Sequence, residues 1–210
     1  MENINTKQYW DKRFSNGDWE NKKGRKQTKG FAQSQIKYLN INKKFQGTLC
    51  DFGCGLGDAI PIYKKHFPKA KLIGVDISSE AIKKCKIQYG KYADFICGSY
   101  NDVPNVDIII ASNVLEHITD DKTIAKKLLE KCKQLYIIVP YKEKKHNDPK
   151  HEHVNQYDEN SFDNTFKNIA YQIYKSKGWG EDGWNLYYNV YYSTVYFKKK
   201  ITCKSKANNV

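Results

Sequence analysis

Between Leu49 and Asp58 the chain reads Leu-Cys-Asp-Phe-Gly-Cys-Gly-Leu-Gly-Asp: an apolar run, an acidic residue near its end, then Gly53, Gly55 and Gly57 at alternate positions. Glycine is needed where the main chain turns through positive φ, or where a ligand lies against bare backbone. A loop of this kind, following a strand and opening a helix, is where doubly wound α/β folds bind nucleotides. The spacing differs from the dinucleotide fingerprint G-x-G-x-x-G, because position 58 is Asp. No Lys-Ser or Lys-Thr pair comes after it, so the loop is not a phosphate-binding P-loop either. An acidic residue beside it would repel a pyrophosphate and suits a cationic ligand. Taken alone, the loop also reads as a tight structural turn.

The surrounding sequence supplies the sheet such a loop requires. Apolar runs at 48–52, 71–75, 93–97, 106–111 and 135–139 are strand-length and rich in β-branched or aromatic residues. The run from Asp107 to Ala111 is apolar on both faces, as a parallel strand covered by helices on both sides must be. Amphipathic stretches at 58–67, 78–89 and 120–133 alternate with them, with Pro61 tolerable in an opening turn and Ser78 or Ser79 as a cap. In the last of these, Ile124, Leu128 and Cys132 recur at four-residue spacing. Residues 160–167 could form a further helix. Residues 169–176 and 187–199 read as a terminal antiparallel pair about the Gly178–Gly183 turn region. The expected fold is α/β: a doubly wound, mostly parallel seven-stranded sheet with helices on both faces and an antiparallel C-terminal strand pair. Residues 1–40 are expected to form an N-terminal helical cap, 41–198 the main domain and 199–210 a flexible tail.

A second element closes the next run, Leu-Ile-Gly-Val-Asp-Ile-Ser over 72–78. Asp76, at a strand end beside the glycine loop, can accept both hydroxyls of a ribose lying across the sheet. Ile77 would cover one face of an adenine. By itself Asp76 also reads as a carboxylate at a helix start.

The segment 51–58 together with Asp76 resembles the signature of the class I S-adenosylmethionine-dependent methyltransferases. The similarity continues through 106–118, where Asp-Ile-Ile-Ile-Ala-Ser-Asn-Val-Leu-Glu-His-Ile is similar to the fourth strand and adjoining helix of that family. It covers roughly residues 45–140. Tyr9-Trp10 and Arg13-Phe14 also look like family N-termini that close over the cofactor. The resemblance implies S-adenosyl-L-methionine as cofactor. It implies that Asp51 and the backbone of Gly53, Gly55 and Gly57 hold its methionine part and that Asp76 holds the ribose. Ser112 and Asn113 would lie near the amino-acid end or the methyl group, with Leu115 as packing. One departure is visible: after the third strand, many members carry an acidic residue for the adenine amino group, whereas this chain reads Cys-Gly-Ser-Tyr-Asn-Asp over 97–102. Ser99, the backbone or Asp102 would have to substitute.

Methyl transfer to a hydroxyl needs its proton removed, and a positioned base contributes about 10²–10⁴-fold. Candidate bases are Glu116 and His117 after the fourth strand and His146, His151 and His153 after the fifth, with His153, His151 and His117 favoured. Each histidine has a plain reading as well, His117 as a packed residue and the others as a polar loop. The stretch His-Glu-His-Val-Asn-Gln-Tyr over 151–157 also looks like one found in methyltransferases of sugar and cell-surface glycan pathways. His151 and His153 could ligate a metal with Asp148 or Glu152, but no further ligand is assigned, so no metal site is expected. Trp179, Trp184, Tyr187, Tyr188, Tyr191 and Tyr192 could form a stacking platform for a sugar or base, or simply a half-buried terminal sheet.

The favoured reading is O-methylation of a small molecule, a sugar or glycan precursor. The alternatives are an RNA or protein methyltransferase, a non-catalytic binder of the cofactor, and a nucleotide-dependent oxidoreductase, against which Asp58 argues. The net charge of +13 invites nucleic acid, yet only Arg13 and Arg25 of 36 basic residues are arginine, the residue that bidentate phosphate and base recognition recruits. A solvated lysine surface accounts for it. The six cysteines are scattered without a C-x-x-C pair and read as reduced thiols. No signal peptide or membrane-length apolar run is evident, so the expected location is cytoplasmic. The oligomeric state is not legible.

Overall fold

The computed structural model describes residues 4–143, 151–162, 165–166, 169–177 and 184–193. Five parallel strands form the centre: β1 (Thr48–Phe52), β2 (Lys71–Asp76), β3 (Ala93–Cys97), β4 (Val106–Ser112) and β5 (Cys132–Pro140). Beyond β5 the sheet continues antiparallel through β7 (Trp184–Ser193) and β6 (Ile169–Lys177), in the order β3-β2-β1-β4-β5-β7-β6. The chain runs outward from β1 to β3, then crosses back to place β4 on the other side of β1. That reversal opens a crevice at the carboxyl ends of β1 and β4.

Alternation along each strand explains the apolar runs. Leu49, Leu72, Ile108, Ile110, Tyr136 and Ile138 belong to one buried cluster. Cys50, Ile73, Val75, Ile109, Leu135 and Ile137 belong to the other. The first face packs against α3 (Gly24–Gln35), α4 (Ile60–His66) and α5 (Ser79–Tyr89), through residues such as Phe31, Ile60, Tyr63 and Cys85. The second packs against α6 (Asp121–Leu129) through Ala125 and Leu128. Ser78 caps α5 by accepting from the Ala81 N–H at 3.1 Å, and Pro61 sits in the first turn of α4.

Several expectations are corrected. The helix expected over 120–133 stops at Leu129, and Cys132 begins β5, so its four-residue spacing from Leu128 is not a helical stripe. The described residues of 160–167 form turns, tied by hydrogen bonds between Asp158 and Ser161. Residues 194–210, the 178–183 turn, Trp179, Asp148 and His146 lie outside the described residues. Cys50, Cys54, Cys85 and Cys132 are buried free thiols, and Cys97 is an exposed one. No described helix is long and apolar enough to cross a membrane.

Candidate active site

The crevice is one cavity of about 940 Å³, lined from Asp76, Ile77 and Tyr100 at one end to His117, His151 and His153 at the other. At the first end, Gly53 and Gly55 take φ of 72° and 51°, and both line the cavity. A side chain at Gly53 would collide with Val114. The loop is fastened to β2 three times: Gly53 and Cys54 N–H donate to the Val75 carbonyl at 2.8 and 3.1 Å, and Gly55 N–H donates to Asp76 Oδ2 at 2.8 Å. The other Asp76 oxygen accepts from Ser78 N–H at 2.8 Å.

Two buried carboxylates thus face the same hollow. Asp51, 4 % exposed, sits at the end of β1 and lines the cavity. Burial pushes its carboxyl up to about 7, and the charge of Asp76 adds to the rise. Burial likewise pushes Asp76 up to about 6, held back by the Ser78 and Gly55 N–H groups. Desolvated acids without cationic partners are costly when ionised, and a positively charged ligand between them removes that cost.

At the end of β4, Ser112 and Asn113 also line the cavity, Asn113 with φ of 56°. Ser112 Oγ donates to Gln35 Oε1 at 2.8 Å, and Gln35 Nε2 donates to Tyr63 Oη at 2.6 Å. Gln35 is buried on α3, remote in sequence from both partners. Nothing local in the sequence marks it.

The far end is assembled by the segment 151–157 folding onto the turn Leu115–His117. The Glu116 carbonyl accepts from Val154 N–H at 2.7 Å, and the Asn155 amide group donates to the carbonyls of Leu115 at 3.0 Å and Ile118 at 2.6 Å. This brings His117 and His153 to 4.9 Å between ring centres, with His151 5.1 Å from His153. His117 Nδ1 lies 3.1 Å from the Glu152 carbonyl, which can only accept, so Nδ1 carries the proton and Nε2 the lone pair. His153 Nδ1 lies 2.5 Å from Glu143. Burial, and then the charge of His153, holds His117 well below the usual histidine range. His153 is raised: burial opposes its charge, but the hydrogen bond to Glu143 and the charges of Glu116 and Glu143 prevail. Glu116 is fully buried and pushed up to about 7 by burial. Neither of its oxygens has a hydrogen-bond partner among the described residues.

The N-terminal helices roof the cavity. α1 (Lys7–Ser15) is pinned to the start of α5 by Asp11, which accepts from Ser78 Oγ at 2.6 Å and from Glu80 N–H at 3.2 Å. Trp10 and Phe14 stack at 5.8 Å, and Phe14 closes over Gly55. Arg13 is paired with Glu152 and Asp18, and Tyr9 donates to Glu152, joining the roof to the histidine end.

Residues 49–135 match the family model described as a methyltransferase domain. Curated relatives are two trans-aconitate 2-methyltransferases. The one from Azoarcus sp. is 23 % identical over 106 residues, covering 50 % of this chain and 42 % of its own length. The one from Afipia carboxidovorans is 26 % identical over 84 residues, covering 39 % and 33 %. The chain therefore spans less than half the length of these relatives. Among solved structures, a SAM-dependent methyltransferase from Aquifex aeolicus superposes with a TM-score of 0.59 at 17 % identity, covering 89 % of this chain and 98 % of that one. The plantazolicin methyltransferase BpumL, solved with SAH, gives 0.61 at 16 %, covering 89 % and 94 %. Residues 49–135 are thus similar to a methyltransferase domain, and the chain shares its fold with solved SAM-dependent methyltransferases.

In this fold the cofactor-site candidates Asp51, Gly53, Gly55, Asp76, Ile77, Ser99, Ser112 and Asn113 all line the cavity, as do His117, His151 and His153. Gly57 does not: a side chain there would press on Cys85 and Tyr89, so this glycine serves the packing of α5. Asp58 is also turned away. It accepts from Tyr89 Oη at 2.7 Å and pairs with Arg25 at 3.2 Å, so the charge preference of the hollow comes from Asp51 and Asp76 instead. Asp102 is spent in a capping box, accepting from Ser99 N–H at 2.8 Å and from its hydroxyl at 3.2 Å, and it does not reach the cavity. Glu152 is committed to Arg13 and Tyr9, so the metal set imagined around it is not assembled.

Proposed function

We propose that this protein transfers the methyl group of S-adenosylmethionine to an oxygen of a small hydroxylated molecule, a sugar or glycan precursor being the favoured acceptor class. This reading takes the seven-stranded sheet with its antiparallel end pair as the architecture of the domain. It places the cofactor against Asp51, Asp76 and the Gly53–Gly55 backbone, with Ser112 and Asn113 toward the methyl group. The cofactor supplies a methyl group on a cationic sulfur that departs as a neutral thioether. The protein's part is to align the acceptor with that methyl, exclude water and receive the acceptor's proton.

The observation that carries the proposal is the continuity of the cavity. One hollow joins two desolvated carboxylates, suited to a sulfonium and a ribose, with a cluster of three imidazoles and two carboxylates, suited to a hydroxyl. The roof of Trp10 and Phe14 shields the space between them. The names of the curated relatives would suggest a carboxylate acceptor. Arg13, which lines the cavity, is already paired with Glu152 and Asp18 and is not free to hold a carboxylate acceptor. Release of S-adenosylhomocysteine, measured across a panel of sugars, nucleotide sugars, phenols, tricarboxylates and short RNAs, tests the proposal. Turnover with hydroxylated small molecules is expected. Turnover confined to RNA or to tricarboxylates would replace the acceptor class, and cofactor binding without turnover on any member would point to a non-catalytic binder.

A further inference from the structure

We propose that Glu116, His117 and His153 form a binding site for one divalent transition-metal cation at the acceptor end of the cavity. The three residues offer one carboxylate oxygen and two imidazole nitrogens that all lie within 4.8 Å of one another. They come from a turn after β4 and from the 151–157 segment, and all three line the cavity. Zinc, and similarly sized ions, bind such atoms at about 2.0–2.2 Å, which small side-chain rotations reach from this spacing.

Glu116 is the observation that singles out this cluster. Its side chain is fully buried, and neither oxygen has a hydrogen-bond partner among the described residues. A buried carboxylate left in that state is expensive, and such a group calls for a partner or a role: a proton to handle, an ordered water or an ion. The imidazoles beside it lie close without bonding to it. Their own outer contacts are already set: His117 Nδ1 is held by the Glu152 carbonyl, leaving Nε2 as its lone-pair atom, and His153 Nδ1 meets Glu143. Imidazoles oriented through their second nitrogen are the usual state of metal-bound histidine. The alternative set of Glu143, His151 and His153 is the weaker one. There Glu143 already engages His153, and His151 Nδ1 already accepts from the His153 N–H at 3.2 Å.

Two imidazoles and one carboxylate suit Mn²⁺, Fe²⁺, Co²⁺ or Zn²⁺ and leave coordination positions open. Those positions face the space where the acceptor would sit. A hydroxyl oxygen bound there would be fixed in place and made more acidic, so an acceptor with two neighbouring oxygens would be favoured. This last step rests on the methyl-transfer proposal; the cation site does not.

The test uses the full-length protein stripped with chelator. Mn²⁺ is titrated in and followed by electron paramagnetic resonance, with Zn²⁺ competition, and S-adenosylmethionine affinity is measured in parallel. One Mn²⁺ per chain at micromolar affinity is expected. Glu116→Gln and His153→Ala should each weaken it at least tenfold with cofactor affinity held within about twofold, while the control His66→Ala leaves it unchanged. Absence of Mn²⁺ and Zn²⁺ binding at millimolar concentration, or binding that both variants retain, overturns the site. Circular dichroism identifies a variant that fails to fold, and the other variant then decides. If the cation binds as described but chelation leaves turnover unchanged, its part in acceptor binding is overturned. If it binds and no hydroxylated acceptor turns over, the methyl-transfer proposal fails while the cation site stands.

Discussion

Gly55 donates its backbone N–H to Asp76 Oδ2 at 2.8 Å, joining the loop after β1 to the end of β2 through one carboxylate oxygen. Asp76 therefore shapes the loop as well as facing the cavity. Asp76→Ala is expected to lower S-adenosylmethionine affinity at least tenfold in calorimetry. The fold should survive, because removing a carboxyl pushed up to about 6 by burial also removes a desolvation cost. Affinity within twofold of the parent would show that ribose binding does not depend on this residue.

Asp51 and Asp76 set the pH response. Both folded values, about 7 and about 6, lie above the ordinary 3.8. Their contribution to apo stability is thus fully present below about pH 4 and is lost as pH rises through 6 and 7. A cationic ligand favours the ionised pair, so binding releases protons in this window. Affinity should fall as pH drops from 8 to 5, by up to roughly tenfold per unit for each proton released. Calorimetry at pH 6 in two buffers of different ionisation enthalpy measures the release, and Asp51→Asn should reduce it. Identical apparent enthalpies in both buffers would contradict the assignment.

Gly53 and Val114 occupy the same space from two directions. Gly53→Ala places a methyl group in the Val114 side chain and a Cβ on a residue at φ 72°. The steric part should be relieved by Val114→Ala, and the positive-φ cost of about 1–2 kcal/mol should remain. Urea denaturation of the two single variants and the double variant is expected to show a favourable coupling of about 0.5–3 kcal/mol. Strict additivity would mean the contact does not limit this position.

Among the described residues, Arg25→Met leaves Asp58, 1 % exposed, with Tyr89 and the more distant Lys29. Losing the main partner of a buried carboxylate should cost about 1–3 kcal/mol. For a chain of this length each kcal/mol lowers the midpoint of thermal unfolding by roughly 2–4 °C. Cofactor affinity at 20 °C should be unchanged, because Asp58 turns away from the cavity. A matching loss of affinity would return Asp58 to the binding site.

The division between what is legible in the sequence and what is not tracks the range of the interactions. The five parallel strands are legible because both faces of each are buried, which forces continuous apolar runs. The glycine loop and Asp76 are legible because their geometry is decided within a few residues. Cys132 misleads because a cysteine four residues after Leu128 continues a helical stripe as well as it starts a strand. Gly57, Asp58 and Asp102 point to the ligand in the sequence because a pattern places a residue near a site but does not say which way its side chain points. Packing against Tyr89, the pair with Arg25 and the capping box with Ser99 decide that.

By itself the sequence determined a strand, a bare turn and a carboxylate at the next strand end, because steric and periodic rules act locally along the chain. Only the tertiary structure brought Gln35 to Ser112, Arg13 to Glu152, and His153 to Glu116 and His117. Those contacts join segments that share no local pattern, and they exist because the roof and the 151–157 segment close over one crevice.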